Sequence, residues 1–314
     1  MKATKKLIVL PLMLLSMTLT GCGGKNSPGS TSKPAPDYTY ATAPTGEKAY
    51  SGTYYDGFDF DAVGGTLLYN LHVLTLSKHR TMIRYSQFST YEQASTQPRS
   101  VDTVAGETSK NVLLYTGKKV TKPGSGWNRE HVWPCANSGG MWTHNKEDGD
   151  NYVDKSTYVG GGSDLYHVRP ATSSVNTARG NSKFIEFGPN DTFYEYGDGG
   201  PYKLKCDVSS GQFANKCEPA DGQKGDIARI LMYVYTRYNK IGDYNDKYCG
   251  TLALTNVFGY STQEEAQEIM CKWNAIDPVD DTERLRNDTI EQIQGNRNPF
   301  VDHPELMAPC FGLF

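Results

Sequence analysis

The chain has 314 residues and a formal net charge of −3, with 32 Lys and Arg against 35 Asp and Glu. An acidic total argues against a protein that grips a long polyanion over its whole surface, while leaving room for a local basic groove. The length past the N-terminal segments fits one large domain at least as well as two.

Lys2, Lys5 and Lys6 precede an apolar run from Leu7 to Leu19 that is too short to span a bilayer as a stable helix. It reads as a signal peptide over residues 1–21. Its end, Leu19-Thr20-Gly21-Cys22, resembles the lipobox of bacterial lipoproteins, in which Cys22 would carry the lipid and anchor the mature chain to a membrane. Residues 22–45 are rich in Gly, Ser, Thr, Lys and Pro and poor in large apolar residues, the composition of a flexible tether. Residues 46–314 are the expected folded domain. No second apolar run is long enough to cross a membrane. With Cys22 set aside, Cys135, Cys206, Cys217, Cys249, Cys271 and Cys310 remain. An even number in an exported chain suggests that all six are oxidised, with Cys206–Cys217 the favoured pair. A cysteine metal cluster would need CxxC spacing, which is absent.

Phe58 to Leu76 places Val63, Leu67, Leu68, Leu71 and Leu74 near helical spacing, despite Gly64-Gly65. Asn111 to Val120 reads as a strand, and Trp127 to Pro134 as a second, stopped by Pro134. Gly139 to Gly162 is a long polar loop, a feature that is often functional. Asp164 to Pro170 reads as extended, and Ser173 caps a short helix to Arg179. Asp226 to Tyr238, Glu264 to Trp273 and Thr282 to Gln294 are helices, the last closed by Gly295. The order is α+β with a helical C-terminal half.

Glu130 and His131 are adjacent. On a strand they face opposite ways, so they share a site only if the backbone bends, or else act from two sides of a cleft. A carboxylate suits a hard cation, and a neutral imidazole suits proton removal near neutral pH. Alone, such a pair is more often an ordinary surface pair. Asn176 and Arg179 share a helix face and offer a neutral oxygen ligand and a planar phosphate-binding fork. Alone, they read as a cap and a solvated arginine.

Three motifs taken together, Trp127-Asn-Arg-Glu-His-Val-Trp-Pro134, Asp164-Leu-Tyr-His-Val-Arg-Pro170 and Val175-Asn-Thr-Ala-Arg-Gly-Asn181, resemble the endonuclease I family of the ββα-metal (His-Me finger) nucleases. Gly225 to Tyr233, Lys272-Trp-Asn274 and Gln294 to Phe300 follow in the family's order. The resemblance implies a ββα-metal core within a mostly helical single domain. It implies Glu130 and Asn176 as ligands of one divalent cation (Mg2+, or Mn2+ or Ca2+), with His131 as the general base. Arg179 would be a phosphate clamp or a brace for the helix. The implied partners are DNA or RNA, cut to 5′-phosphate and 3′-hydroxyl ends by a monomeric, membrane-anchored exported enzyme. The family commonly has His where Tyr166 stands, which leaves Tyr166-His167 either structural or an altered part of the site. A metalloprotease would need HExxH, which does not occur. A catalytically weak nucleic-acid-binding lipoprotein is the other reading.

Overall fold

The computed structural model describes residues 36–93, 100–122, 125–137, 139, 141, 159–208 and 214–314. The expected signal peptide, the tether through residue 35 and the loop core at 142–158 lie outside the described residues. From Tyr38 onward the chain forms one compact unit. Tyr38 donates its hydroxyl to the Glu268 carbonyl at 3.0 Å, and its ring meets Tyr40 edge to face.

Helix α1 (Gly64–Lys78) begins later than the apolar spacing predicts. Gly64 takes a φ of +57°, which a helix interior cannot contain, so the glycine pair starts the helix and does not interrupt it. Val63 consequently sits exposed outside the helix, while Leu67 and Leu71 are buried as expected. A short helix α2 (Phe88–Gln93) follows. Strands β1 (Thr103–Val104), β2 (Glu107–Val112) and β3 (Lys119–Thr121) form an antiparallel meander. The single strand expected over 111–120 is instead the end of β2, a turn and β3. Leu113, Leu114 and Tyr115 are buried within that turn, where Tyr115 has φ +70° and Gly117 φ +62°.

Strands β4 (Trp127–His131) and β5 (Val168–Thr172) pair antiparallel, with Glu130 opposite Arg169 and His131 opposite Val168. Helix α3 (Ser173–Arg179) follows β5 directly, giving a strand–strand–helix unit. The segment expected to extend from Asp164 instead opens as a turn. The Asp164 carbonyl accepts the amides of His167 and Val168, and its carboxylate accepts the Tyr166 amide at 2.8 Å. An aspartate closing its own turn in this way delays the strand to Val168. The turn after β2 docks on this unit through the Leu114 amide, which donates to the Pro170 carbonyl at 2.8 Å.

A second sheet holds β6 (Lys183–Phe184), β7 (Tyr194–Tyr196), β8 (Leu204–Cys206) and β9 (Lys216–Glu218) in the order β6-β9-β8-β7. The expected Cys206–Cys217 disulfide joins β8 to β9. The other oxidations do not follow: Cys249, Cys271 and Cys310 are buried thiols. The Cys249 thiol is taken up by the Arg237 carbonyl and the Asp246 carboxylate.

The C-terminal half is helical, as expected: α4 (Asp221–Tyr238), α5 (Gln263–Ile276), α6 (Asp281–Gln294) and the short α7 (Pro299–Asp302) and α8 (Met307–Cys310). Thr262 and Asp280 close capping boxes on Glu265 and Glu283, which satisfies amides that the first helical turn leaves unpaired. Gly295, at φ +90°, ends α6 in the left-handed conformation. α4 packs between α1 and α5, burying Ile227, Leu231 and Val234 completely. Truncating one such side chain to alanine costs about 2–5 kcal/mol. No helix among the described residues is long and apolar enough to cross a membrane.

Candidate active site

β4 runs in unbroken register through His131, so alternate residues face opposite ways. Arg129 and His131 both meet the ring of Tyr85. On the other face, the Asn128 side-chain carbonyl accepts the Ser173 hydroxyl, and Glu130 lies against Arg179. Both of those partners belong to α3. The backbone does not bend between Glu130 and His131, and the two side chains lie on opposite faces of one strand.

Glu130 is only 3% exposed. Its Oε1 accepts the Tyr115 hydroxyl at 2.5 Å, and Arg179 Nε stands 3.4 Å from the same oxygen. Burial pushes the Glu130 carboxyl above its ordinary value, with Arg179, the Tyr115 hydroxyl and the His131 amide pulling the other way. Burial wins, so the carboxylate charge is incompletely balanced by its protein partners. The positive φ that delivers Tyr115 to this spot costs about 1–3 kcal/mol for a side chain with a Cβ. Sequence reasoning missed Tyr115 because it took that stretch for a plain strand.

α3 lays Asn176 and Arg179 against β4. Asn176 donates Nδ2 to the carbonyl of Arg129, the residue before Glu130, at 3.3 Å. Arg179 is fully buried, and its guanidinium donates to the Val132 carbonyl at 2.6 Å and the Gly180 carbonyl at 2.9 Å, beneath the Phe184 ring. Of the two roles open to Arg179 in the sequence, these contacts are those of a brace joining the end of α3 to β4. A phosphate would find the fork already occupied.

His131 is half-buried. Its Nε2 lies 2.9 Å from the Gly162 carbonyl oxygen, which can only accept, so Nε2 carries the proton and the neutral ring has its lone pair on Nδ1. Burial, the neighbouring His167 and the charges of Arg129 and Arg179 lower the His131 pKa to about 3, against the Gly162 bond. The ring is therefore unprotonated at neutral pH. Nothing in the sequence marks Gly162 for this task, because it acts through a backbone carbonyl.

The substituted pair is structural. His167 donates Nδ1–H to the Gly161 carbonyl at 2.6 Å and accepts the Trp133 amide on Nε2 at 2.9 Å, so both nitrogens are spent holding the turn to the end of β4. The Tyr166 hydroxyl is bonded at the carbonyls of Asn287 and Asn296.

No group of three or more His, Cys, Asp or Glu among the described residues could hold a metal alone. The donor set at β4 and α3 is smaller: one buried carboxylate and one amide. It fits a hard cation such as Mg2+, which keeps several waters and takes one or two protein ligands. A cavity of about 440 Å³ lined by Arg169, Asp226, Glu283 and Arg286 lies apart, and neither Glu130 nor His131 lines it.

The chain matches the Endonuclease I family over residues 69–305. It is 36% identical over 272 residues to an extracellular ribonuclease of Bacillus subtilis (strain 168), covering 84% of this chain and 80% of that protein. It is 34% identical to the extracellular ribonuclease of Bacillus amyloliquefaciens, covering 72% and 70%. An extracellular deoxyribonuclease of Aeromonas hydrophila is 25% identical, covering 56% of this chain and 62% of that protein. With the family match spanning most of the chain and falling on the strand–strand–helix unit described above, the chain belongs to the endonuclease I family.

Proposed function

We propose that this chain is an exported nuclease that hydrolyses phosphodiester bonds of DNA or RNA, with His131 as general base and one divalent cation held by Glu130 and Asn176. The observation that carries the reading is the state of β4. It holds a buried carboxylate that Arg179 meets at one oxygen only, next to a neutral imidazole whose proton is fixed on Nε2. Nδ1 of His131 takes a proton from water as the water oxygen bonds to phosphorus; the P–O3′ bond breaks and the departing 3′ oxygen takes a proton from solvent, leaving 5′-phosphate and 3′-hydroxyl ends. The bound cation would neutralise charge gathering on the phosphate. Tyr115 and Arg179 hold Glu130 in place, and the 2′-hydroxyl has no part, so both nucleic acids are substrates of this chemistry.

The apolar leader and the names of the relatives support export, and Cys22 supports a lipid anchor on a monomeric enzyme. Incubation with plasmid DNA and with RNA, with Mg2+ or with EDTA, tests the activity. Cleavage of either only with Mg2+, giving 5′-phosphate ends, is expected. Cleavage unaffected by EDTA, or cyclic phosphates from RNA, would overturn the mechanism.

A further inference from the structure

Two separate described segments hold His131. The Gly162 carbonyl fixes one ring nitrogen. Tyr85, in a single 3-10 turn at Tyr85–Gln87, lies nearly parallel to the imidazole, with 16° between planes and 5.7 Å between centroids. The two segments are tied together: Ser163, next to Gly162, donates its hydroxyl to the Ile83 carbonyl at 2.6 Å. The turn is fixed on both flanks by Ile83 and Phe88, which are buried. Arg129, two residues before His131 on the same strand face, sets its guanidinium 4.2 Å from the Tyr85 ring centre and donates to the Ser89 hydroxyl at 3.0 Å. The Tyr85 ring is thus engaged by two side chains of β4.

We infer that Tyr85 is a positioning residue for His131, its ring and the Gly162 carbonyl together fixing the plane in which the Nδ1 lone pair points. This rests on the reading of His131 as the base. The Gly162 hydrogen bond fixes one ring nitrogen, and the offset, nearly parallel Tyr85 ring limits rotation of the imidazole about that bond. A reacting group misplaced by about 1 Å loses about 10²-fold in rate.

The test compares Tyr85→Ala, Tyr85→Phe, His131→Ala and the double variant Tyr85→Ala/His131→Ala, each with kcat, KM and thermal midpoint measured on the same DNA substrate. Tyr85→Ala should lower kcat by about 10- to 100-fold with KM unchanged, and Tyr85→Phe, which keeps the ring, should recover most of that loss. The double variant should be no slower than His131→Ala, because the tyrosine acts only through the imidazole. A Tyr85→Ala that raises KM and spares kcat would make Tyr85 a substrate contact and overturn the inference. So would a double variant slower than His131→Ala, or a Tyr85→Phe as impaired as Tyr85→Ala. If His131→Ala is slow while Tyr85→Ala matches the wild type, the positioning role alone fails. A His131→Ala that keeps the wild-type rate sinks both readings.

Discussion

Two buried Arg–Glu pairs stand among the described residues, and they are built differently. In the helical half, Arg229 grips both oxygens of Glu283 from Nε at 2.8 Å and Nη2 at 2.5 Å, and its remaining nitrogen reaches Asn274 and the Asp277 carbonyl. Burial pushes the Glu283 carboxyl up, but the Arg229 charge and fork outweigh it and hold the group below its ordinary value. At β4, Arg179 approaches one oxygen of Glu130 at 3.4 Å and spends its other nitrogens on carbonyls, and the Glu130 value rises. The first pair is a closed fork that joins α4 to α6. The second is open, as a carboxylate must be if a cation is to share it. The same two residue types therefore make a closed fork in one place and an open pair in the other, and geometry decides which.

The widest separation between the two regions should appear in His131→Ala. Turnover should fall by about 10²–10⁴-fold, the range for a lost general base, with the thermal midpoint and metal affinity kept. Arg229→Met should do the reverse, leaving Glu283 buried and uncompensated at a cost of about 3–5 kcal/mol in stability, read by urea denaturation. An Arg229→Met protein as stable as wild type would mean that the fork holds nothing.

The pH dependence sharpens the contrast further. Burial lowers the His79 and His167 pKa values to about 4, so both rings are neutral when folded, whereas in the unfolded chain they titrate near their ordinary value of 6.5. Protons thus bind the unfolded chain first. The contribution of these rings is full above pH 6.5 and declines as pH falls toward 4, while Asp277, raised to about 6 by burial, opposes it over the same window. His167→Gln should therefore reduce the acid loss in the urea midpoint; an unchanged pH profile would contradict the burial of this ring. Glu130 runs the other way, its raised value making the charged form the costly one in the metal-free protein. The smallest effect follows: Glu130→Gln should leave metal-free stability unchanged or slightly raised, while Glu283→Gln lowers it.

The helical half was legible in sequence because its signals are local. Amphipathic spacing marked α4, and Gly295 marked the end of α6 at a position where only a left-handed residue serves. The strand–strand–helix order was legible through its motifs, and so was the β8–β9 disulfide. The details that prepare the site were not. A tyrosine at φ +70° is not written in its residue type, so the turn that brings Tyr115 to Glu130 passed for a strand. Tyr85 lies outside every motif, and the Gly162 carbonyl has no side chain to read. Asp164 shortened β5 through its own side chain, a competition that apolar patterning does not register. Arg179 was read with both roles open, and only its neighbours distinguish a brace from a clamp.

The most direct test of the open pair is calorimetric titration of metal-free protein with Mn2+, comparing wild type, Glu130→Gln and Glu283→Gln, each first shown to be folded. The account predicts one site per chain, with Glu130→Gln at least about tenfold weaker, the low end of what outer-shell partners alone are worth, and Glu283→Gln unchanged. Equal affinity in wild type and Glu130→Gln would place the cation elsewhere and contradict the assignment of Glu130 as its ligand.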